Sequence, residues 1–356
     1  MVKKAMIALS GGVDSSVAAK LIKEQGYDCI GVTMRLNSSC SGDASCLSDQ
    51  NIIDAKNIAE GLGMPYYVFD FEADFEKEVI SRFISAYENG FTPNPCIDCN
   101  RYMKFEKLYQ SGREKGYDYI VTGHYAKIEY NENTGRYVLK KAKDALKDQS
   151  YVLYSLTQEQ LSHTLFPLGN FTKAEIREMA LSSGFFNAEK KDSQDICFVP
   201  DGDYAAFIQN YTGKKYPEGD YIDISGKVLG KHKGIINYTI GQRRGLGVAL
   251  GKYMYVISKN AENNTVILGD ETELFYKNVI VKDINLISVS EITRPIRAKV
   301  KLRYKHTEQP ATIVPNSDRT VTVCFDEPQR APSAGQSAVF YDEDTVIGGG
   351  IIVKGI

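Results

Sequence analysis

Apolar positions in the first third of the chain follow two alternating rhythms. Short β-rich runs, Ala5 to Leu9, Tyr27 to Met34, Tyr66 to Phe71 and Tyr119 to Val121, alternate with stretches of helical periodicity, Ile52 to Leu62, Phe75 to Tyr87 and Met103 to Lys115. That alternation predicts a parallel sheet with helices on both faces. In such sheets ligands bind beyond the carboxyl ends of the strands, so the loop after Leu9, Met34, and Thr122-Gly123-His124 are expected to line one crevice. Two more helices are predicted, Gln158 to Leu165 and Lys173 to Ser182. From about Asp201 the pattern changes: Gly, Tyr and β-branched residues dominate, helices nearly vanish, and Tyr255-Val256-Ile257 with Thr265-Val266-Ile267 frame a hairpin turn at Asn263-Asn264. The fold expected is α/β: an N-terminal parallel-sheet domain over residues 1–200, a small central domain over 201–276, and a C-terminal β-barrel over 277–356.

The first strand runs into Ser10-Gly11-Gly12-Val13-Asp14-Ser15-Ser16 and then into an amphipathic helix. Paired glycines let the backbone approach a ligand closely, and the free N–H groups of a first helical turn, with the helix dipole, favour phosphate. No Lys-Ser/Thr closes the loop, so it is not a Walker P-loop. The pattern S-G-G-x-D-S instead resembles the loop of ATP pyrophosphatases, which cut ATP between the α and β phosphates and leave AMP on a carbonyl oxygen.

At 356 residues the chain suits two or three domains, and 43% hydrophobic with 25% charged residues describes a globular protein. The apolar run at the N-terminus is too short for a signal peptide, and no run approaches membrane-spanning length. Seven cysteines, an odd number without an export signal, point to a reducing cytoplasm where thiols serve reaction or metal binding. A net charge of −2 means that any nucleic acid must be held by local patches.

Cys96 and Cys99, in Pro93-Asn94-Pro95-Cys96-Ile97-Asp98-Cys99-Asn100, lie on a proline-stiffened loop near a helix start, where the helix N-terminus is expected to lower a thiol's pKa. Such a C-x-x-C suits half a zinc site, a redox pair or an inert turn. Cys197 is another cysteine in a polar, motif-like setting, Lys190-Lys191-Asp192-Ser193-Gln194-Asp195-Ile196-Cys197-Phe198. Cys29 and Cys324 read as core, while Cys40 and Cys46 lie in a polar loop. Between Arg297 and Lys305 basic residues alternate strictly with apolar ones, standing about 6–7 Å apart on one strand face. Five like charges repel unless a polyanion neutralises them, so this face is expected to meet RNA, with Arg243-Arg244, Lys214-Lys215 and Lys140-Lys141 extending the track.

The phosphate loop, Thr92-Pro93-Asn94-Pro95-x-x-x-Cys99-Asn100, Thr122-Gly123-His124-Tyr125, Lys147-Asp148-Gln149-Ser150-Tyr151, Lys191-Asp192-Ser193 with Ile196-Cys197-Phe198, Thr239-Ile240-Gly241-Gln242-Arg243, and Pro332-x-x-Gly335-Gln336-Ser337-Ala338-Val339-Phe340-Tyr341 together resemble the tRNA-specific 2-thiouridylase family. The match runs from Ser10 nearly to the end of the chain. The resemblance implies replacement of the C2 oxygen of a wobble uridine by sulfur, after ATP, with Mg2+, has adenylated that oxygen. It further implies that Cys197 carries a persulfide received from a cysteine desulfurase or relay protein, and that Cys99 releases the product through a disulfide with Cys197. ATP would be held by Ala8, Leu9, Ser10, Gly11, Gly12, Val13, Asp14, Ser15, Met34 and Gly123. The target base would meet Asn94, Pro95 and Cys96, and tRNA would touch His124, Lys147, Asp148, Gln149, Arg303, Tyr304 and Gln336.

One position departs from the family, which usually has an aspartate where this chain has Cys96. A thiol is not an equivalent proton shuttle, so either Asp98 takes over, or Cys96, Cys99 and Cys197 hold a [4Fe–4S] cluster with one open iron. Two other classes compete. A small-molecule ligase with the same nucleotide loop leaves the paired thiols and basic strand unexplained, and an RNA-binding module leaves the phosphate cradle unexplained.

Overall fold

The computed structural model describes residues 2–36, 49–190, 196–199, 202–248 and 251–356. Cys40, Cys46 and the Lys191-Asp192-Ser193 motif lie outside them. Strands β1 (Lys4–Ala8), β2 (Asp28–Arg35), β3 (Tyr66–Asp70) and β4 (Tyr119–Val121) pair in parallel in the order β3-β2-β1-β4, with the short strand Thr164–Leu165 outside β4. The order reverses between β1 and β4, and a crevice opens at the carboxyl ends of the strands at such a switch point. Helices α1 (Val13–Glu24) and α2 (Asp49–Gly61) pack on the sheet through an apolar cluster that includes Ile7, Val17, Ala18, Ile22 and Ala59, all nearly free of solvent.

Where the elements differ from expectation, the cause is local or tertiary. The predicted helix Gln158 to Leu165 stops at Ser162, because Thr164 and Leu165 pair with Ile120 and Val121, and sheet pairing overrides helical periodicity over so short a stretch. The cysteine loop is helical. Pro95 occupies the first helical position, where its missing N–H costs nothing, and the Asn94 side chain accepts the Cys96 N–H at 3.1 Å. The chain then stays helical from Pro95 to Glu114, wound as a π-helix over Cys99–Lys107. Among the described residues the central region holds one α-helix, Tyr204–Thr212, opened by the Asp203 side chain and closed by Gly213 at φ +65°, and two short 3₁₀ turns, Ile235–Asn237 and Glu271–Leu274. The Asn263-Asn264 hairpin forms as predicted, with Asn264 at φ +47°.

The last six strands, Phe275–Leu286, Ile296–Lys301, Gln309–Pro315, Val321–Arg330, Ser337–Asp342 and Thr345–Gly355, close on themselves as an antiparallel barrel. A hairpin from the first domain, Lys127–Asn131 with Arg136–Lys140, pairs onto the barrel at Thr345. Tyr151 reinforces that junction by donating its hydroxyl to Ser337 O at 2.9 Å. The central sheet shares a core with the helical stretch Glu72–Glu88 through Phe83, Tyr87, Phe198 and Tyr221. Among the described residues no helix is long and apolar enough to cross a membrane.

Candidate active site

β1 delivers the chain into the glycine turn, and α1 leaves it. The turn is anchored from β2: Thr33 Oγ1 donates to Leu9 O at 2.7 Å and is itself held by the Tyr66 hydroxyl at 2.7 Å. Gly11 sits at φ +71°, and a Cβ there would stand 2.5 Å from Asn51 O, so any side chain would break the turn. Its carbonyl accepts from Asn187 Nδ2 at 3.1 Å and Lys190 Nζ at 3.3 Å. A trans peptide directs its N–H opposite to its carbonyl, so the Gly12 N–H is turned away from those two donors. Lys190 is itself fixed by Asn51 Oδ1 at 2.6 Å and Asp54 Oδ2 at 2.7 Å. Gly12, the N-cap of α1, has no side chain to occupy the first-turn N–H groups, which suits them to an anion.

Asp14 does not offer an open carboxylate. Lys173 Nζ lies 2.8 and 2.9 Å from its two oxygens, and the Tyr125 hydroxyl donates to Oδ1 at 2.7 Å. Gly123, just past β4, packs against the first turn of α1 so closely that a Cβ would stand 2.8 Å from Ser15 N. The next residue, His124, is buried, with Nδ1 2.7 Å from Thr122 Oγ1 and Nε2 3.4 Å from Lys104 Nζ. An ammonium only donates, so Nε2 accepts and Nδ1 carries the hydrogen. Burial, with Lys104 second, holds the imidazole well below its usual pKa, and His124 is neutral.

Lys104 belongs to the π segment that starts at Cys99, so the Lys104–His124 contact joins the cysteine helix to the nucleotide crevice. Cys96, Cys99 and Cys197 share one electrostatic neighbourhood, each of the first two feeling the third. The expected lowering of thiol pKa is overturned. Burial pushes Cys99 up to about 12 against the opposing pull of Lys104, and it pushes Cys96 up as well. Cys96 nevertheless has an exposed side chain, and that exposure governs what can reach it. Burial also raises Asp98 to about 6 despite Arg82 and Arg101.

The barrel supplies the opposite wall. Tyr304 lies close enough for Cys96 to act on its phenol, and Arg303 donates to Ala331 O and, at 3.4 Å, to Ser333 Oγ. The basic face is smaller than its sequence implies. The strand ends at Lys301, so Arg303 and Lys305 lie beyond it, Arg297 makes a two-pronged ion pair with Asp326 at 2.8 Å, and Lys299 lies 3.5 Å from Glu343. An acid two strands over, Asp326, and one in the turn after Ser337–Asp342, Glu343, therefore neutralise the outer part of the track. Lys140, Lys141 and Lys214 also pair with acids. A groove of about 670 Å³ between the 127–140 hairpin and the barrel is lined by Glu129, Glu132, Lys140 and Arg297 and holds none of the reactive groups.

Three family models tile the chain: a tRNA methyl transferase HUP domain over residues 3–201, a tRNA methyl transferase PRC-barrel domain over 205–270, and an aminomethyltransferase β-barrel domain over 276–352. The tRNA-specific 2-thiouridylase MnmA of Clostridioides difficile is 50% identical over 100% of this chain and 99% of its own length. That of Acetivibrio thermocellus is 51% identical over 98% and 99%. The chain belongs to the tRNA-specific 2-thiouridylase family. Among solved structures it is similar to a 4-thiouridine synthetase–RNA complex with bound ATP, at 21% identity over 56% of this chain and 46% of that one; the TM-score of 0.40 adds nothing to the family assignment.

Within the thiouridylase framework, the phosphate-loop residues and Gly123 pack against each other at the carboxyl ends of β1 and β4, and Asn94, Pro95 and Cys96 open the cysteine helix beside Tyr304. Other expected RNA contacts are turned inward. Asp148 accepts from Ala142 N, Ser150 N and Ser150 Oγ, Gln149 Oε1 accepts from Tyr125 N at 2.9 Å, and Gln336 donates to Thr92 O. The cluster alternative finds no socket: among the described residues no three His, Cys, Asp or Glu side chains are gathered to hold a metal ion, the three thiols included. Sequence reasoning missed Tyr125, Lys173, Asn187 and Lys190 as supports of the phosphate loop. Tyr125 and Lys190 sat inside quoted motifs, but Lys173 and Asn187 carried no signal.

Proposed function

We propose that the protein is an ATP-dependent tRNA-uridine 2-sulfurtransferase. The reading rests on one observation above all: the Gly123-His124 turn abuts the first turn of α1 on one side and, through Lys104, reaches the cysteine helix on the other. Nucleotide and thiol chemistry then share a crevice. ATP lies with its phosphates at the N-terminus of α1, Mg2+ accompanies the triphosphate, and the C2 oxygen of the wobble uridine attacks the α phosphate and expels pyrophosphate. An oxygen that leaves as AMP is a far better leaving group than a carbonyl oxygen.

Cys197 carries the incoming sulfur as a persulfide supplied by a cysteine desulfurase or relay protein. Its outer sulfur bonds to C2 as AMP departs. Cys99, once deprotonated, attacks the Cys197 sulfur; the S–S bond of the adduct breaks with its electrons passing to the sulfur on C2, and a Cys99–Cys197 disulfide remains for an external thiol reductant to open. Asn94, Pro95 and Cys96 face the base, while Lys147, Arg303 and Tyr304 meet tRNA. The deciding experiment incubates the protein with ATP, tRNA and a persulfide donor and measures 2-thiouridine by mass spectrometry, with pyrophosphate release followed in parallel. Pyrophosphate release that proceeds equally without tRNA would replace this reading with a small-molecule ligase.

A further inference from the structure

The helix that carries Cys96 and Cys99 begins on a short segment, Phe91-Thr92-Pro93, that the first domain leaves largely unsupported by its own secondary structure. The support comes from the barrel. Thr92 N donates to Ala334 O at 2.8 Å, and the Gln336 side-chain amide donates to Thr92 O at 2.7 Å and Pro93 O at 3.3 Å. Gly335, at φ +90°, lies against the same segment so closely that a Cβ would stand 3.0 Å from Phe91 Cβ and 3.1 Å from Thr92 N. The barrel loop is in turn tied into its own strands, since Gly335 N donates to Ile352 O at 3.0 Å and Ile352 N donates to Gln336 O at 2.8 Å. Arg303 braces the start of the loop at Ala331 O and Ser333 Oγ.

We propose that Gln336 is a positioning residue: by clamping the carbonyls of Thr92 and Pro93 it fixes where the cysteine helix starts, and so where Cys96 and Cys99 stand in the crevice. The inference rests on the thiolation reading for its meaning, though not for its test. Asn94, the N-cap, follows the clamped residues directly, so a shift of this segment moves the cap and the two thiols together. The clamp also links Arg303 to the cysteine helix through one continuous loop. An RNA backbone that engaged the Arg303 guanidinium would compete for the donor that braces that loop.

The test uses the full chain without ATP or RNA, so that loss of an RNA contact cannot contribute. Iodoacetamide labelling is followed site by site by peptide mass spectrometry in the wild type, Gln336→Ala, Gln336→Glu and Gly335→Ala. Losing one hydrogen bond from a local structure shifts its opening equilibrium by roughly fivefold. Cys99 labelling is therefore expected to rise by at least that factor in both Gln336 variants, which lose the bonds to Thr92 O and Pro93 O, and to rise as well in Gly335→Ala, whose added Cβ would press on Phe91 and Thr92, with Cys29 and Cys324 as unchanged internal references. Unchanged Cys99 labelling would overturn the proposal. A rise shared equally by Cys29 and Cys324 would also overturn it, because it would mean general loosening of the fold. If one variant fails to fold, the other two carry the same comparison. Wild-type protein that makes no 2-thiouridine would sink the thiolation reading while leaving the labelling contrast intact.

Discussion

Replacing Lys173 by Met tests the support of the phosphate loop. The ammonium bonds both oxygens of Asp14, and its side chain is only 11% exposed against 32% for the carboxylate. Exposed ion pairs are worth under ~1 kcal/mol, whereas stripping the partner from a buried charge costs ~3–5 kcal/mol. Asp14 would keep the Tyr125 hydroxyl and some water, so Lys173→Met should cost about 2 kcal/mol, between those limits. For a unit of this size that corresponds to a fall of roughly 4–8 °C in the melting transition. Lys143, which bonds Glu175 on the same helix with both side chains open to solvent, provides the control. Lys143→Met should leave the transition where it is. Calorimetry of the two variants side by side makes the comparison, and pyrophosphate release should be lost only in Lys173→Met. If both variants melt together with the wild type, or Lys173→Met still releases pyrophosphate normally, the Asp14–Lys173 pair is not what holds the loop.

Asp98, raised to about 6 by burial, destabilises the fold once ionised; the folded pKa lies above the unfolded value, so its protonated form favours folding and the benefit disappears as pH rises through 6. Asp98→Asn should therefore stabilise by about 3 kcal/mol at pH 8 and by nothing below pH 4, read by urea unfolding at the two extremes. Replacing Lys299, Lys301 and Arg303 together should weaken tRNA binding and flatten its salt dependence by roughly one to two units of slope, fewer than three because Lys299 already faces Glu343; an unchanged slope would mean that this face is merely solvated. Cys197→Ser should lose all protein-bound sulfane sulfur, and Cys99→Ser should load sulfur yet fail to thiolate tRNA, both measured by cyanolysis and nucleoside mass spectrometry; sulfur retained on Cys197→Ser would move the carrier elsewhere.

What could be read from the chain was what local rules control. The alternation of strand and helix rhythms gives the parallel sheet because crossover helices leave no other arrangement, and a glycine at Gly11 follows from a backbone conformation that only glycine adopts without strain. Even the cysteine helix had a legible start. Asn94-Pro95 is a cap followed by the residue best suited to a first helical position, and reading it as a stiffened loop before the helix placed that helix's start a few residues too late. The basic strand failed differently. Its alternation is real as far as Lys301, but Asp326, on a strand two over, and Glu343, in the turn after Ser337–Asp342, stand 29 and 44 positions away from Arg297 and Lys299, and only the pairing of strands distant in sequence brings them alongside. The same distance hid Lys173 and Asn187, which reach the phosphate loop across 159 and 176 positions.

The thiol pKa shows why burial must be known before reactivity is inferred. A helix N-terminus stabilises an adjacent anion by about 0.3–1 kcal/mol, and up to ~2 kcal/mol when partly buried. Burial that lifts Cys99 from 9.0 to about 12 works against the thiolate by about 4 kcal/mol. Burial wins by a factor of at least two, and it depends on packing among the helix, the Cys197 segment and the core it shares with the central sheet, which no local sequence pattern encodes. At neutral pH the resting Cys99 is a thiol. The attack on Cys197 proposed for it would therefore wait for a change in its surroundings, which fits the proposed mechanism, in which the persulfide sulfur and the RNA arrive from outside.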